Sequence, residues 1–404
     1  MTATPTPSPT LGEVLARLDE FYDPRWADSW DAVGLVCGDP AQPVRSVLFA
    51  VDPTLAVVDE AIERGVDLLV THHPLLLKPV NAVAATTPKG TVVHRLVGNR
   101  IALHVCHTNA DSADPGVSDA MAAALALGDL RPLDADAAAA MDKLVTFVPH
   151  ADAGQVIDAL AEAGAGAIGD YDRCAWTATG VGTFRPGPGA NPTIGAVGDI
   201  EEVPETRVEM VLERSRRDAV LGALRAAHPY EEPAFDLFET AATPSSRGTG
   251  RIGVLPEPTT LRDFAQDVAW ALPATAGGVR VAGDPERAVR TVALCGGAGD
   301  SLLDLARRSE ADVYVTSDLR HHPASELREH AYGDPGGGLA LVDVAHWAAE
   351  WTWLPVAAQR LQEALAERGT TVDTHVSRIC TDPWQFRVAH GEAPEATQPE
   401  NEER

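Results

Sequence analysis

One strand–helix–strand pattern occurs twice in this chain, once near each end. The segment VRSVLFAVDPTLAVVDEAIERGVDLLVTHHP (44–74) predicts a strand, a helix that ends at Gly65, and a second strand. The segment VRTVALCGGAGDSLLDLARRSEADVYVTSDLRHHP (289–323) has the same order and also ends in His-His-Pro. Strands that alternate with helices of about a dozen residues form parallel or mixed sheets covered by helices on both faces. The expected fold class is therefore α/β, with two related halves in one domain.

The middle of the chain has a different rhythm. Between 141 and 243 the pattern predicts strand, helix and turn, and then strand, helix and strand, which is typical of a ferredoxin-like α+β unit. The stretch TPSSRGTGR (243–251) is rich in turn-forming residues and is predicted to be a linker. The expected domains are a first half (11–140), the insert (141–243) and a second half (244–390), with disordered tails at 1–10 and 391–404.

Charge and composition exclude several functions. The formal charge of -27 disfavours non-specific binding to nucleic acid, because an acidic surface repels phosphates. No apolar run reaches the roughly 20 residues of a membrane span, and the start MTATPTPSPT does not resemble a signal peptide, so we expect a cytoplasmic protein. Five scattered cysteines without a CxxC pair argue against disulfides and a thiolate zinc site.

Two adjacent histidines, His72 and His73, end the second predicted strand. Neighbouring side chains on a strand point to opposite faces, so such a pair does not normally serve one site. At a strand end this alternation relaxes, and the two imidazoles could then face two metal ions about 3.5–4 Å apart. On this dipeptide alone, a pair of structural histidines remains the favoured interpretation.

The next predicted strand leads into HVCHTNADSADPG, which contains His104, His107, Asp111 and Asp114. The carboxyl edge of an α/β sheet is where such folds place their sites, so ligands from adjacent strand ends converge there. Asp111 could bridge two cations. Turn and helix-capping roles are the alternative, at even odds for Asp111 and favoured for Asp114.

Two further motifs lie in the second half. His346 and Glu350 are four residues apart, a spacing by which a helix presents two metal ligands on one face, although such pairs are also common on surfaces. The turn with Gly296, Gly297 and Gly299 precedes a helix and could bind phosphate, but it lacks the lysine of a P-loop, so a structural turn is favoured.

Taken together, these motifs support a metal site more strongly than any one of them does alone. Histidine and carboxylate ligands without thiolates suit Zn²⁺, Mn²⁺ or Fe²⁺. Five such ligands with a bridging carboxylate fit two ions, and paired ions of this kind usually activate water for hydrolysis.

The motifs also resemble a known family, the GTP cyclohydrolase 1 type 2 homologues, also called NIF-three-like dinuclear-metal proteins. The resemblance extends over about 11–390. It depends on WADSWDAVGLVCGD (26–39), DLLVTHHPLL (67–76), HTNAD (107–111), GGAGDSLLDLA (296–306), VYVTSDLRHH (313–322), DVAHWAAE (343–350) and TDPWQF (381–386). The insert, with GAGAIGDYDRCAW (164–176) and HPYEEPAFD (228–236), resembles the PII/CutA-like domain of the longer members. The chain departs from the family pattern at Ala32, Ser317 and Ala345.

The resemblance implies an assembly and a set of ligands. It implies two related α/β halves, forming one three-layer domain, in a homo-hexameric ring with metal pairs facing its cavity. The implied metal ligands, with His107 as a sixth or supporting residue, are His72, His73, Asp111, His346 and Glu350.

The expected function is that of a dinuclear-metal hydrolase in which a metal-bound hydroxide attacks a nucleotide-like substrate, at C8 of GTP if the family name holds. Asp318 and His322 are candidate acid/base or substrate-contacting residues, with a structural role favoured. Two alternatives stay open: a metal-dependent phosphoesterase, and a non-catalytic regulatory hexamer whose insert binds a small molecule. HPYEEPAFD could be such a binding site, but a turn leading into a strand is favoured.

Overall fold

The computed structural model describes residues 8–332 and 337–388 of the chain. These residues form two compact units: one comprises residues up to 136 and from 246 on, and the other comprises 137–245. The tails expected at 1–10 and 391–404 lie outside the described residues, except for 8–10. In that stretch Thr10 caps the first helix by accepting a hydrogen bond from the backbone of Glu13.

The first part of the larger unit alternates helices and short strands. Its elements are α1 (Leu11–Phe21), β1 (Gly34–Cys37), β2 (Ser46–Ala50), α2 (Leu55–Arg64), β3 (Leu68–Thr71), α3 (Pro88–Gly98), β4 (Ala102–Val105), α4 (Thr108–Ser112), α5 (Val117–Ala124) and β5 (Gly128–Ala137), with a 3-10 turn at Pro24–Trp26. The helix expected to end at Gly65 is confirmed as α2, and Gly65 follows it in a left-handed conformation with φ 65°.

The smaller unit has two strand–helix–strand passes. Its elements are β6 (Met141–Pro149), α6 (Ala153–Glu162), β7 (Trp176–Phe184), β8 (Glu201–Glu213), a 3-10 turn (Arg214–Arg216), α7 (Arg217–Ala227) and β9 (Phe235–Glu239). The sheet order is β7-β8-β6-β9, and each neighbouring pair is antiparallel. Both helices pack against this sheet through buried residues such as Val156, Leu160, Val220 and Leu224.

The second part of the larger unit repeats the alternation. Its elements are β10 (Pro244–Thr260), α8 (Leu261–Ala271), β11 (Arg280–Ala282), β12 (Ala288–Ala298), a 3-10 turn (Asp300–Leu302), α9 (Leu303–Arg308), β13 (Val313–Ser317), α10 (His321–Glu329), β14 (Ala340–Val344), α11 (His346–Trp351), α12 (Trp353–Ala366) and β15 (Asp373–Val376).

Two mixed sheets organise the larger unit, which confirms the α/β class. One has the order β1-β4-β3-β2-β15 and the other the order β11-β14-β13-β12-β10-β5. Strands β2, β3 and β4 run parallel in the first sheet, and β12, β13 and β14 run parallel in the second. The terminal strands are exchanged, since β15 completes the first sheet and β5 the second. This exchange ties the two halves together and is not visible in local sequence patterns.

Alternation along the strands separates the helical layers. In β2, Val47 and Phe49 belong to the large core shared by both sheets, whereas Leu48 and Ala50 pack on the opposite face with α2 and α3. Side chains two residues apart share a face, so both faces of this strand are buried. The second sheet likewise has α9 and α10 on its outer face. Because helices cover the faces of both sheets, a functional site is expected at the ends of the strands.

The chain does leave the smaller unit within the linker expected at 243–251, between 245 and 246, but most of this stretch is paired strand β10 and not a loop. Its glycines serve strand pairing instead of chain flexibility. Gly248 has φ +149°, and a Cβ atom there would lie 2.1 Å from the carbonyl oxygen of Asp134. Glycine therefore permits the close approach of two strands. The stretch shares only its composition with a flexible linker.

Among the described residues, none of the helices combines the length and the apolar character that crossing a bilayer requires.

Candidate metal centre

His72 and His73 directly follow β3, and their backbones continue alongside β2. The amide of His72 donates to the carbonyl of Ala50 (3.2 Å), and that of His73 donates to the carbonyl of Val51 (2.9 Å). Despite this, the two imidazoles lie near each other, with ring centroids 5.1 Å apart and planes tilted by 47°. The expected relaxation of strand alternation thus brings both rings to one side.

Two other chain segments reach the same place. His107 caps the start of α4 and its ring centroid lies 5.1 Å from that of His72, while Asp111 is on the same short helix. His346 begins α11, and its ring centroid lies 5.1 Å from that of His73. Because β3, β4 and β14 all end here, residues far apart in sequence converge at one point.

Glu350 lies at the centre of this cluster, with only 3% of its surface exposed. Its Oε1 is 2.7 Å from Nε2 of His346 and 3.4 Å from Nε2 of His72, and its Oε2 is 3.1 Å from Nε2 of His73. Burial raises the pKa of this carboxyl, but the three imidazoles outweigh it and hold the pKa well below its usual range. Glu350 is therefore a buried carboxylate.

Each of the four histidines is oriented through its Nδ1 atom. Nδ1 of His72 lies 2.9 Å from a backbone carbonyl, that of Cys106, and therefore carries the proton. The other three Nδ1 atoms lie beside carboxylate oxygens: His73 beside Asp52 (2.7 Å), His107 beside Asp31 (2.9 Å) and His346 beside Asp318 (2.7 Å). A protonated Nδ1 leaves the Nε2 lone pair free to bind a metal, and this arrangement is typical of metal-ligating histidines.

Without a cation, the Nε2 lone pairs would face the carboxylate oxygens of Glu350 and Asp111, and these electron-rich atoms repel one another. Nε2 of His72, Oδ1 of Asp111 and Oε2 of Glu350 are buried and have no hydrogen-bond partner among the described residues. Nε2 of His72 lies 3.8 Å from Oδ1 of Asp111. Buried polar atoms are rarely left unsatisfied, so this cluster requires protons or metal ions.

The pKa values of the site residues also indicate that the cluster stabilises positive charge. Burial lowers the pKa of His73, but Glu350 and Asp52 outweigh it and raise the pKa to about 11. In His346 burial is likewise outweighed, mainly by Glu350, and the pKa rises to about 9. Burial raises the pKa of Asp111. The site thus binds cationic charge more readily than isolated side chains do.

Two overlapping groups of side chains could hold a metal ion: His72, His73 and His107, and then His73, His346 and Glu350. Imidazole nitrogens and carboxylate oxygens suit divalent ions such as Zn²⁺, Mn²⁺ and Fe²⁺. The donor atoms, their orientation and their unsatisfied lone pairs therefore fit a metal centre.

Several candidates from the sequence lie apart from this group. His104 is buried within β4, where burial alone lowers its pKa to about 4. Asp114 precedes Pro115, outside both metal-holding groups of the described residues. His322 is exposed at the start of α10, its ring centroid 5.2 Å from that of His321. Asp318 does reach the centre, but through its contact with His346.

The turn expected at Gly296, Gly297 and Gly299 is wrong for the first two glycines, which belong to the end of β12, where pairing with β13 is irregular. Gly297 has φ +76°, and a Cβ atom there would lie 2.6 Å from Oε1 of Glu350. The Oγ1 hydroxyl of Thr316 donates to the carbonyl of Gly297 (3.1 Å). Gly297 therefore has a packing role, because the buried carboxylate of Glu350 occupies the space that a side chain would take.

Asp31 and Asp52 were missed as functional residues. Asp52 follows β2 just as His72 follows β3, so its place at the same sheet edge was a usable signal. Asp31 lies in a loop, 76 residues before His107, and no local pattern connects the two.

In the smaller unit, HPYEEPAFD forms the turn between α7 and β9, and its residues also line a cavity. Nε2 of His228 lies 3.0 Å from the carbonyl oxygen of Phe147, and the hydroxyl of Tyr230 donates to Glu205 (2.9 Å). Tyr230 and Glu231 line a cavity of about 810 Å³ in this unit. The segment is thus a turn that leads into a strand, as favoured.

Comparisons with known proteins agree with this arrangement. Residues 9–383 match the family described as Duf34/NIF3 (NGG1p interacting factor 3). A Mycobacterium leprae protein named GTP cyclohydrolase 1 type 2 homolog is 50% identical over 94% of this chain and 96% of its own length. A Bacillus subtilis protein of the same name is 36% identical over 93% of this chain and 98% of its own length.

Solved structures give the same result. The crystal structure of a Bacillus cereus protein related to NIF3 superposes with a TM-score of 0.74 at 36% identity, covering 94% of this chain and 99% of that chain. A Staphylococcus aureus protein superposes with a TM-score of 0.79 at 28% identity, with the same coverage.

Proposed function

The chain belongs to the Duf34/NIF3 family, and from this premise we propose that it is a hydrolase that depends on two divalent metal ions. The observation that carries the proposal is the common orientation of four histidines, whose Nδ1 atoms are all held while their Nε2 atoms face a buried carboxylate region. A purely structural cluster has no need to direct four lone pairs toward one volume.

The proposed ligands follow from this geometry. Glu350 approaches three imidazoles and Asp111 approaches His72, so these two carboxylates would supply the oxygen ligands of the ions. The proposed ligand set, with His107 as a sixth member or as a support, is His72, His73, Asp111, His346 and Glu350. All of these except Asp111 belong to the two metal-holding groups, and Asp111 is included because its Oδ1 lies 3.8 Å from Nε2 of His72. When bound, such ions supply Lewis acidity and lower the pKa of water.

The protein's own side chains would prepare the site. Asp52, Asp31 and Asp318 hold protons on Nδ1 atoms and thereby fix each ring. Of the two acid/base candidates, Asp318 contacts the cluster and we assign it as a positioning residue, whereas exposed His322 has no such support. The covered sheets on either side would limit water at the strand ends.

The substrate is proposed to be nucleotide-like, from the names of the relatives. The reaction would be hydrolysis at C8 of GTP, with water supplying the oxygens and the carbon leaving as formate. Purified, metal-loaded protein should release formate from GTP. Release of inorganic phosphate would indicate a phosphoesterase, and release of neither would favour a non-catalytic metal-binding protein.

The metal content has its own experiment. Wild-type protein should hold about two ions per chain by elemental analysis, and His72→Ala and Glu350→Ala should lose most of them. Glu363→Ala, an exposed substitution on α12, is the matched control and should keep both ions. Unchanged metal in both site variants would overturn the assignment.

We also propose the ferredoxin-like fold for the smaller unit, in keeping with the PII/CutA-like resemblance. Its support is the order β7-β8-β6-β9 with two helices on one face, which is that of a split βαβ sheet. The homo-hexameric ring and the cytoplasmic location are proposals from family likeness. Light scattering of the purified full chain should give six times the mass of 42.6 kDa.

A further inference from the structure

A cavity of about 370 Å³ opens beside the candidate metal centre, within the larger unit. His346 lines this cavity and is also one of the candidate ligands, so the two share a wall. The segment after β15 and residues 276–278 also line the cavity. Anything bound here would lie directly against the metal centre.

Two aromatic side chains of that segment are exposed without an evident structural reason. Trp384 exposes 72% and Phe386 exposes 79% of its surface, and both line the cavity. A large apolar ring placed at a cavity mouth loses stability unless something covers it. Aromatic faces of this kind stack on planar rings, a contact of about 1–3 kcal/mol per base when tested by alanine substitution.

The cavity also offers an unpaired cation. Arg280 and Arg387 both line it. Arg280 is ion-paired with Asp343, whereas no described carboxylate lies within ion-pair distance of Arg387. The Nη1 atom of Arg387 would be 3.5 Å from a Cβ on Gly278, so the guanidinium lies over a residue that lacks a side chain. Its donors are therefore available to an anionic ligand.

Asp382, which also lines the cavity, adds an acceptor. Its Oδ2 atom is buried and has no hydrogen-bond partner among the described residues. A carboxylate oxygen in that position can accept an N–H group of a heterocycle. The cavity therefore presents a stacking surface, a cation and an acceptor within one short segment, TDPWQFR (381–387).

We infer that this cavity is the substrate subsite and that it takes a planar heteroaromatic compound with an N–H edge and an anionic group. Trp384 and Phe386 stack on the ring, Asp382 accepts from the N–H edge, and Arg387 binds the anion. That the bound compound is a substrate rests on the proposed hydrolase function. Binding of a ligand at these residues can be measured without turnover.

The experiment is calorimetric titration of the full-length protein, metal-free and zinc-loaded, with guanosine 5′-monophosphate. This probe carries both a ring N–H edge and a phosphate, while guanosine and ribose 5-phosphate each lack one of the two features. We expect measurable binding of the monophosphate, weaker binding of both fragments, and a Kd raised at least five-fold in Trp384→Ala, Arg387→Gln and Asp382→Asn.

Trp270→Ala and Arg262→Gln are the matched controls, because both residues are exposed and neither lines the cavity. Their Kd values should equal that of the wild type. Absence of binding to the wild-type protein, or equal Kd values in all three cavity variants and the wild type, would overturn the subsite.

The two proposals fail separately. Normal metal content and hydrolysis with no effect of the cavity variants would reject the subsite alone. Ligand binding that depends on Trp384 and Arg387, in a protein that hydrolyses nothing, would support the subsite and reject the hydrolase.

Discussion

Nδ1 of His73 lies 2.7 Å from Oδ1 of Asp52, a residue 21 positions earlier at the end of the neighbouring strand. Asp52 also accepts a hydrogen bond from the hydroxyl of Thr381, the first residue of the cavity segment 381–387. One carboxylate therefore orients a candidate ligand and anchors the chain that lines the adjacent cavity.

Replacing Asp52 with alanine should weaken metal binding without unfolding the protein. Loss of the acceptor frees the ring of His73 to rotate and to change tautomer, and such supporting contacts are usually worth 10–100-fold in metal affinity. Competition with a chromogenic chelator measures the affinity. Asp59→Ala, which removes a surface partner of Arg95, should bind metal like the wild type. Equal affinity in the Asp52 variant would show that the contact does not position His73.

Gly297→Ala should displace the carboxylate of Glu350. The added methyl group would lie 2.6 Å from Oε1 of Glu350, and φ +76° is unfavourable for alanine, so we expect about 1–3 kcal/mol of destabilisation. The metal content should fall as the carboxylate shifts. Gly98→Ala is a suitable control, because its Cβ would meet nothing within 4 Å near the end of α3. Urea unfolding and elemental analysis measure both effects, and a variant as stable as the wild type with full metal content would contradict the packing argument.

The candidate ligands were easier to recognise in the sequence than the residues that orient them. His72, His73, Asp111, His346 and Glu350 lie in short motifs at strand ends or on one helical face, so local spacing was informative. Asp31 and Cys106, by contrast, act through contacts that depend on how distant segments pack. The exchange of β5 and β15 between the sheets likewise depends on tertiary pairing, which strand periodicity does not specify. The linker at 243–251 was placed at the boundary of the units but was not the expected loop, since composition alone does not distinguish a glycine in a closely paired strand from a glycine in a loop.

Arg251 should be a major determinant of stability in the larger unit. It is 2% exposed, and its guanidinium donates to both carboxylate oxygens of Asp119, each at 2.7 Å. It also donates to the backbone carbonyls of Gly248, Gly250 and Ala113. Arg251→Met removes the guanidinium donors from these carbonyls and leaves Asp119 without its buried counter-charge, with the amide of Gly116 still donating to it, which should cost about 3–5 kcal/mol of unfolding free energy.

The control for that variant is Arg262→Met, whose exposed pair with Glu286 should contribute only about 0–1 kcal/mol. Denaturant midpoints of the two variants at equal protein concentration make the comparison. If the two variants lost the same free energy of unfolding, the buried contacts of Arg251 would contribute no more to stability than an exposed ion pair.

Metal binding should release protons and strengthen as pH rises. In the metal-free protein the pKa of His73 is raised to about 11 and that of His346 to about 9, so both rings are protonated near neutrality. Each ion must displace these protons, and the apparent affinity should therefore rise through neutral pH and begin to level only above about pH 9. The same shifts stabilise the metal-free fold fully below the unfolded pKa of 6.5, and this contribution is lost as pH rises through 9 to 11. Chelator-treated protein should thus become less stable in alkali, while metal-loaded protein should not lose this contribution. Calorimetric titrations in buffers of different ionisation enthalpy count the protons released, and a count of zero at pH 7 would contradict the protonated state of the metal-free centre.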